Sequence, residues 1–483
     1  MRSTRALERA GHKDLDFLWL LEGHTPDHST YAAFRNRHAE AIRALQRDFA
    51  EALVRTRTEP LLELILDGTR LRADSDRQGA RTAQFIENVL KELERRYEEM
   101  TRADAPAAPQ TGTLEGMAPP ADEADAPADG SVAALERQIE KYQKALDAAR
   151  ERDRRARERQ GKDAKPVRVP VTDSDAQITP NKDGGFAPNY TPVAAVEPQT
   201  GAVLYDDVLE GSDEAGAVSP AVEAARAVTG RTPEAVMADG NFATGPVLES
   251  LDQAGIEAYM PIRSASPEGN PAERPDPTQP VSEADKARLP RHADHFARSA
   301  FVYEPEADAY RCPAGHPLPP YRQGRTSEGT AYTTYRCEAC PGCPWAPECI
   351  KGKAAHRTVT RDAYEPHREA TAARMKSEAG KAAYQKRAPA IEGLFAYIKS
   401  CLGIRRFARR GLEKVRCDWT WICTAYNLKK LLNHRAASQG NTPQTGPRRG
   451  GKSAGAPSFC PPAALEGPPA PRRAWARPVA HVY

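Results

Sequence analysis

An apolar run that ends in an aspartate and a tight turn occurs twice in this chain, and that repetition constrains its fold more than any other feature. Val236-Met237-Ala238 leads into Asp239-Gly240, and Leu61-Leu62-Glu63-Leu64-Ile65-Leu66 leads into Asp67-Gly68-Thr69. A helix-like segment (245–254) and a short strand (256–262) follow the first of these. Much further on, Tyr384, Arg387, Glu392 and Lys399 mark a helical segment in which Glu392 lies among Ile391, Leu394, Phe395 and Ile398. Asp-Gly after a hydrophobic strand is by itself an ordinary turn signal, and a lone helix glutamate is usually solvated. Taken together, Asp67, Asp239 and Glu392 are hard anionic donors on three different elements, the set that a two-metal phosphoryl-transfer site on Mg²⁺ or Mn²⁺ requires. Asp173 and Asp175 compete for the place of the first aspartate, but they follow a polar stretch, whereas Asp67 closes an apolar strand.

At 483 residues the chain exceeds what one core usually serves, so a catalytic domain with insertions is expected. Residues 1–58 read as a helical module, with Ala41, Leu45, Phe49, Ala52 and Leu53 recurring at helical spacing. Residues 59–100 and 165–263 carry strand-like patterns, including a hairpin of 186–196 with 201–209, and form the first part of the core. Between them, 101–164 combine an Ala/Pro/Asp/Gly-rich stretch expected to be disordered with a long charged helix. Its stripe Leu135, Ile139, Tyr142 and Leu146 suits either a hairpin partner or self-association. Residues 381–436 hold the late helix and a basic part of the core, and 437–483 read as a disordered tail. The periodicities alone support an α/β fold.

Five of the nine cysteines fall in the insertion 264–380. Cys337, Cys340 and Cys343 form a CxxCxxC run, Cys349 follows six positions on, and Cys312 opens a distal CPxGH word. This spacing favours thiolate-bound structural Zn²⁺ held by four of the five, with an iron–sulfur cluster or no metal as the alternatives. Cys401, Cys417, Cys423 and Cys460 are scattered and read as small buried residues.

A net charge of +3 is too small for a whole-protein field to draw in nucleic acid, so such affinity must come from clustering. From Lys399 to Arg416 seven basic residues, among them Arg405, Arg406, Arg409 and Arg410, face the single acid Glu413. A charge run is often a plain solvated face. Directly after a candidate catalytic helix it suits phosphate contacts to double-stranded DNA. No uncharged apolar run reaches the roughly 18 residues of a membrane span, and no leader pattern is present, so a cytoplasmic protein without a membrane partner is expected.

The words Arg2-Ser3-Thr4-Arg5-Ala6-Leu7-Glu8, Pro26-Asp27-His28-Ser29-Thr30, Leu66-Asp67-Gly68-Thr69-Arg70-Leu71, Thr172-Asp173-Ser174-Asp175-Ala176, Lys182-Asp183-Gly184-Gly185-Phe186, Ala238-Asp239-Gly240, Glu392-Gly393-Leu394-Phe395 and Arg405-Arg406-Phe407-Ala408-Arg409-Arg410-Gly411 recur in order over residues 1 to about 435. In this the chain resembles the D-D-E transposases of bacterial insertion sequences, in the group numbered eleven-eighty-two of the IS-four-like and IS-five-like set. The resemblance implies a ribonuclease-H-like catalytic core, metal-dependent nicking and strand transfer at transposon ends and target, and a synaptic homodimer. It also implies a Tyr-Arg-Glu-Lys signature at Tyr384, Arg387, Glu392 and Lys399, with the arginine and lysine on the DNA backbone or scissile phosphate. Here Arg387 and Glu392 stand one residue further apart than in the commonest signature, and Asn241-Phe242 replaces the usual Gly-Tyr. Relatives reach the opening motif only after an upstream segment, so a shortened N-terminus is expected. A regulatory DNA-binding remnant and a metal-dependent nuclease of the same fold are the alternative readings.

Overall fold

A computed structural model describes residues 4–58, 62–102, 131–161, 163–181, 184–211 and 213–438. The stretch 103–130 and the tail from 439, both expected to be disordered, lie outside these residues.

Four helices come first: α1 (Thr4–Lys13), α2 (Leu15–Leu20), α3 (His28–Arg37) and α4 (Ala39–Val54). Asp14 and Asp27 start α2 and α3 by accepting the backbone N–H of Asp16 and Thr30, the capping role that short carboxylates fill. The buried face of α4 is Ile42, Gln46, Ala50, Leu53 and Val54, one position round from the expected stripe, and Leu45 is exposed. The displacement has a cause in Gln46, whose amide donates to the Val203 carbonyl in the core.

The central element is β1 (Glu63–Gly68). Short β2 (Leu71–Arg72) and β3 (Ala80–Arg81) follow it, and then α5 (Ala83–Arg102) and α6 (Val132–Gln160). These two helices pack as a hairpin, burying Ile86 and Leu90 against Ala145, Leu146 and Ala149. After β4 (Val169–Pro170) and β5 (Gln177–Pro180) comes the hairpin of β6 (Phe186–Glu197) and β7 (Ala202–Leu209). Next are α7 (Val218–Thr229), β8 (Ala235–Met237), α8 (Gly245–Gln253) and β9 (Glu257–Tyr259).

The sheet has the order β7–β6–β1–β8–β9. Strands β6 and β7 are antiparallel to their neighbours, while β8 runs parallel to β1 and β9 parallel to β8. The strand alternation supplies both faces. Leu64, Leu66, Val193, Ala195, Leu204 and Val236 point toward α4, α7 and α8. Ile65, Ala194, Val196, Val203 and Met237 point the other way, toward helices formed by the last 50 or so described residues.

Between β9 and those helices lies the cysteine-rich insertion, with α9 (Glu283–Lys286), β10 (Arg291–His292), β11 (His295–Phe296), β12 (Val302–Glu304), β13 (Ala309–Arg311), β14 (Pro317–Leu318), β15 (Pro320–Arg325), β16 (Ala331–Arg336), α10 (Ala346–Cys349) and β17 (Thr358–Asp362). Its strands form three small sheets, β10–β11, β12–β14 and β15–β17, with a core of their own around Phe296, Tyr310, Tyr335 and Trp345.

The chain returns through α11 (Glu365–Lys376) and α12 (Glu378–Gln385), then a π-turn (Ala388–Glu392), α13 (Gly393–Ala396), a second π-turn (Tyr397–Cys401) and α14 (Leu412–Ser438). Trp419, Cys423 and Tyr426 of α14 close the second face of the sheet, and the Trp419 indole donates to the Val193 carbonyl at 2.9 Å. No helix among the described residues is long and apolar enough to cross a membrane.

Candidate active site

Strand register brings the two turn aspartates together. Ile65 of β1 pairs with Met237 of β8, so Asp67, two residues on, and Asp239, two residues beyond Met237, leave the same end of adjacent parallel strands. Asp67 accepts its own following N–H, from Gly68, at 2.9 Å. Asp239 takes the Asn241 backbone N–H at 2.6 Å and the Asn241 side-chain amide at 3.3 Å. The turn after Asp239 needs Gly240 because a Cβ there would stand 2.7 Å from the Pro261 carbonyl oxygen.

The helical segment after α12 runs along β1. Lys386 bonds Glu63 at 2.7 Å, the Arg387 guanidinium pairs with Asp67 at 2.9 Å, and the Lys399 ammonium reaches the Thr69 hydroxyl. Tyr384 lies beside Arg387, with the guanidinium 5.9 Å from its ring centre. Burial raises the Tyr384 phenol above its ordinary value and Arg387 opposes this; Asp239 and Asp67 add to the rise. Ile391, Leu394, Phe395 and Ile398 hold the segment on the sheet, leaving Glu392 exposed.

The unusual Arg387–Glu392 spacing has a structural counterpart. Residues 388–392 form a π-turn, which fits one more residue into a turn than an α-helix does. Residues five apart across it stand one above the other, as residues four apart do in an α-helix.

A third carboxylate reaches the strand ends. Glu214 lies in the loop between β7 and α7. Its Oε2 is 3.4 Å from the Asn241 side-chain amide, and its Oε1 would be 2.6 Å from a Cβ placed on Gly68. Desolvation raises its pKa first, and the charges of Asp239 and Asp67 raise it further. Sequence reasoning missed Glu214 because it sits in a polar loop with no apolar run to mark it. Asn241, whose amide oxygen accepts from Arg263, stands out in the sequence only as a replacement in a motif.

Asp173 and Asp175 are elsewhere. Asp173 is buried and accepts the Tyr190 hydroxyl at 2.6 Å and the Gly411 N–H at 3.2 Å, and Asp175 accepts the Leu412 N–H at 2.8 Å. Both anchor the loop that starts α14.

The basic run does not form one open stripe. Arg409 bonds Asp418 and Asn36, with its side chain only 13% exposed, and Arg35 of α3 joins the same aspartate. Arg410 pairs with Asp74, and Arg416 with Asp207. Phe407, expected in the midst of the cations, is buried edge-on against Tyr190. Arg405 and Arg406 are exposed, although Arg406 reaches Asp74 at 2.7 Å.

The five insertion cysteines converge. Cys312, Cys337, Cys340 and Cys349 are buried and Cys343 half-buried, and all five line one cavity of about 20 Å³ with His316 and Arg357. The His316 and Arg357 backbone N–H groups each lie 3.3 Å from a sulfur, those of Cys312 and Cys340. A thiol–thiol contact lowers Cys312 and raises Cys337. Of the scattered cysteines, Cys417 and Cys423 are buried, whereas Cys401 is half-buried. Among the described residues no three His, Cys, Asp or Glu side chains are arranged to hold a metal ion.

Residues 311–432 match the family described as Transposase DDE domain. That match spans 122 of the chain's 483 residues. It takes in the cysteine cluster, Glu392 and the arginines, and leaves Asp67 and Asp239 outside. Neither curated proteins nor solved structures give a match.

Proposed function

We propose that this chain is a D-D-E transposase with a ribonuclease-H-like core, cutting double-stranded DNA at insertion-sequence ends and joining it to a target as a homodimer. One observation carries the proposal: Arg387, from the segment that matches a transposase DDE domain, is ion-paired to Asp67, which shares a strand end with Asp239. The strand order and the helices on both faces support the same fold.

Asp67, Asp239 and Glu392 would hold the divalent ions. Carboxylates crowd two neighbouring strand ends, and burial first, then the charges of Asp239 and Asp67, raises the pKa of one of them, Glu214. When bound, two such ions activate water or a 3′-hydroxyl and stabilise the leaving oxygen. The remaining work falls to fixed side chains. Arg387 orients Asp67 through their ion pair, and its planar fork is also suited to phosphate oxygens. Lys399, two turns past Glu392, offers a point charge at the same strand end, and Tyr384 lies beside the Arg387 guanidinium. No protein nucleophile is needed. Arg405 and Arg406 extend the phosphate-contacting surface, while Arg409 and Arg410 brace it. In the insertion, four of the five converging cysteines would hold structural zinc as thiolates.

A strand-transfer assay with paired ends tests this reading. Asp67→Asn and Asp239→Asn should each abolish Mg²⁺-dependent cleavage and leave end binding intact, with a loss on the order of a thousandfold or more. Full activity in Asp67→Asn together with loss in Asp173→Asn or Asp175→Asn would move the site. Cleavage without joining would make the protein a nuclease, and binding without cleavage a regulatory remnant.

A further inference from the structure

We infer that Arg70 and Arg263 hold the DNA strand by its backbone phosphates on either side of the cut, an inference that rests on the two-aspartate reading above. Both side chains are exposed, and each follows a strand at the end where the aspartates stand: Arg70 comes three residues after Asp67, and Arg263 four residues after the close of β9. Other arginines of the core are neutralised by carboxylates. Arg387 pairs with Asp67, Arg406 and Arg410 with Asp74, and Arg416 with Asp207. Among the described residues neither Arg70 nor Arg263 has a carboxylate at ion-pair distance; their partners are neutral. The Arg70 guanidinium donates to the Pro180 carbonyl at 2.9 Å, and the Arg263 guanidinium to the Asn241 side-chain oxygen.

The acids are close by all the same. The Asn241 amide nitrogen lies 3.3 Å from Asp239 and 3.4 Å from Glu214, so a single neutral group stands between Arg263 and both carboxylates. Burial, with the charges of Asp239 and Asp67, raises the Glu214 pKa, and Arg70 works against the rise from nearby. A carbonyl or amide oxygen fixes the direction of a guanidinium without cancelling its charge, and with five N–H donors most of the fork stays available. Such a charge, oriented and uncompensated, is complementary to a phosphodiester. A DNA strand needs it here, because Asp239 and Glu214 repel phosphate while Arg387 is committed to Asp67 with its side chain only 14% exposed. The two arginines also stand on opposite flanks. Pro180 closes β5, which pairs with β6 on the far side of β1 from β8, whereas Arg263 arrives from β9 beyond β8. Two to three strand spacings, about 10–15 Å, separate the flanks, the reach of a few consecutive phosphates at about 3.4 Å of duplex rise each. Asp67 and Asp239 lie between them.

The test uses the full chain and a duplex carrying the inverted repeat that borders the coding sequence, bound in EDTA so that it stays uncut. Arg70→Gln and Arg263→Gln should each weaken binding about tenfold and lower its salt slope by about 0.9, with melting temperatures at the parent's value. Neutral methylphosphonate linkages then locate the contacts. In the parent, such a linkage within about three nucleotides of the cut, on either side, should weaken binding by a like factor. In Arg70→Gln the linkages on one side should have no further effect, and in Arg263→Gln those on the other side, the non-additivity of groups in direct contact. If Arg263→Gln melts well below the parent, Arg263→Lys separates charge from fold: it should keep the parent's salt slope, and losing that slope would overturn the contact. Binding unchanged within twofold in the glutamine variants, or weakened with every methylphosphonate effect still at parent size, would overturn the roles of these two arginines alone. Parent-like cleavage of the same duplex in Mg²⁺ by both Asp67→Asn and Asp239→Asn would overturn the two-aspartate reading itself.

Discussion

Asp206 illustrates how one residue can lower the stability of its own sheet. It lies on β7 facing α14, where it accepts the Thr420 hydroxyl at 2.7 Å, and burial first, then the neighbouring Asp207, pushes its carboxyl up to about 6. Arg43 opposes the shift, and Cys423 lies within its field. A raised acid pKa means that the fold favours the protonated form. Stability should therefore fall as pH rises from about 4, where the unfolded acid ionises, to about 6, and stay lower above that. Asp206→Asn keeps the acceptor for Thr420 and removes the titration. It should gain about 1–2 kcal/mol at pH 8 and little at pH 4, a figure that allows for partial solvation of the site. Equal melting shifts at the two pH values would show that the gain came from elsewhere.

The segment from Arg405 to Arg416 divides into contacts that hold the fold and side chains that face outward. Asp418 of α14 receives Arg409 from the preceding loop and Arg35 from α3, so it ties the N-terminal module to the last helix. Arg409→Gln leaves a mostly buried carboxylate with one partner fewer and should cost about 1–3 kcal/mol in a denaturant melt. It should leave the salt dependence of DNA binding unchanged. Arg405→Gln with Arg406→Gln should cost almost no stability and should flatten the salt slope by about 0.9 for each phosphate that is no longer neutralised. The reverse pattern would exchange their roles. Whether a cation faces solvent or an aspartate some 330 positions away, as Arg406 and Arg410 do with Asp74, is a tertiary fact that a local charge count does not contain. The same limit explains α4, where Gln46 enters the core because a strand carbonyl needs a donor. Periodicity is informative where local chemistry decides, as for the turn after each apolar strand and the hairpin of β6 with β7. It is silent on Glu214, whose significance depends on a glycine in another strand.

At the scale of the whole molecule the insertion is a separate small core attached between β9 and α11. Its small core, of a few aromatic and aliphatic side chains, fits the pattern of small units that need a staple. The purified protein should carry about one zinc per chain. Chelation should speed hydrogen exchange over residues 300–352 and leave exchange around Asp67 as it was. Metal analysis without zinc would overturn the assignment, and visible absorbance of the iron–sulfur kind would substitute a cluster. The main sheet has a different dependence. One of its faces is covered by residues from α4, α7 and α8, but Ile65, Val196, Val203 and Met237 on the other are covered by Ile391, Ile398, Trp419 and Tyr426. During synthesis all the strands of the sheet leave the ribosome well before this cover does. The nascent chain must carry an open apolar surface through the whole translation of the insertion, a period in which a chaperone, or the sheet of another nascent copy, can occupy it. Arg387 and Glu392 belong to the same late cover, so a prematurely terminated product would bind and misassociate through that surface without ever possessing a complete set of acidic residues.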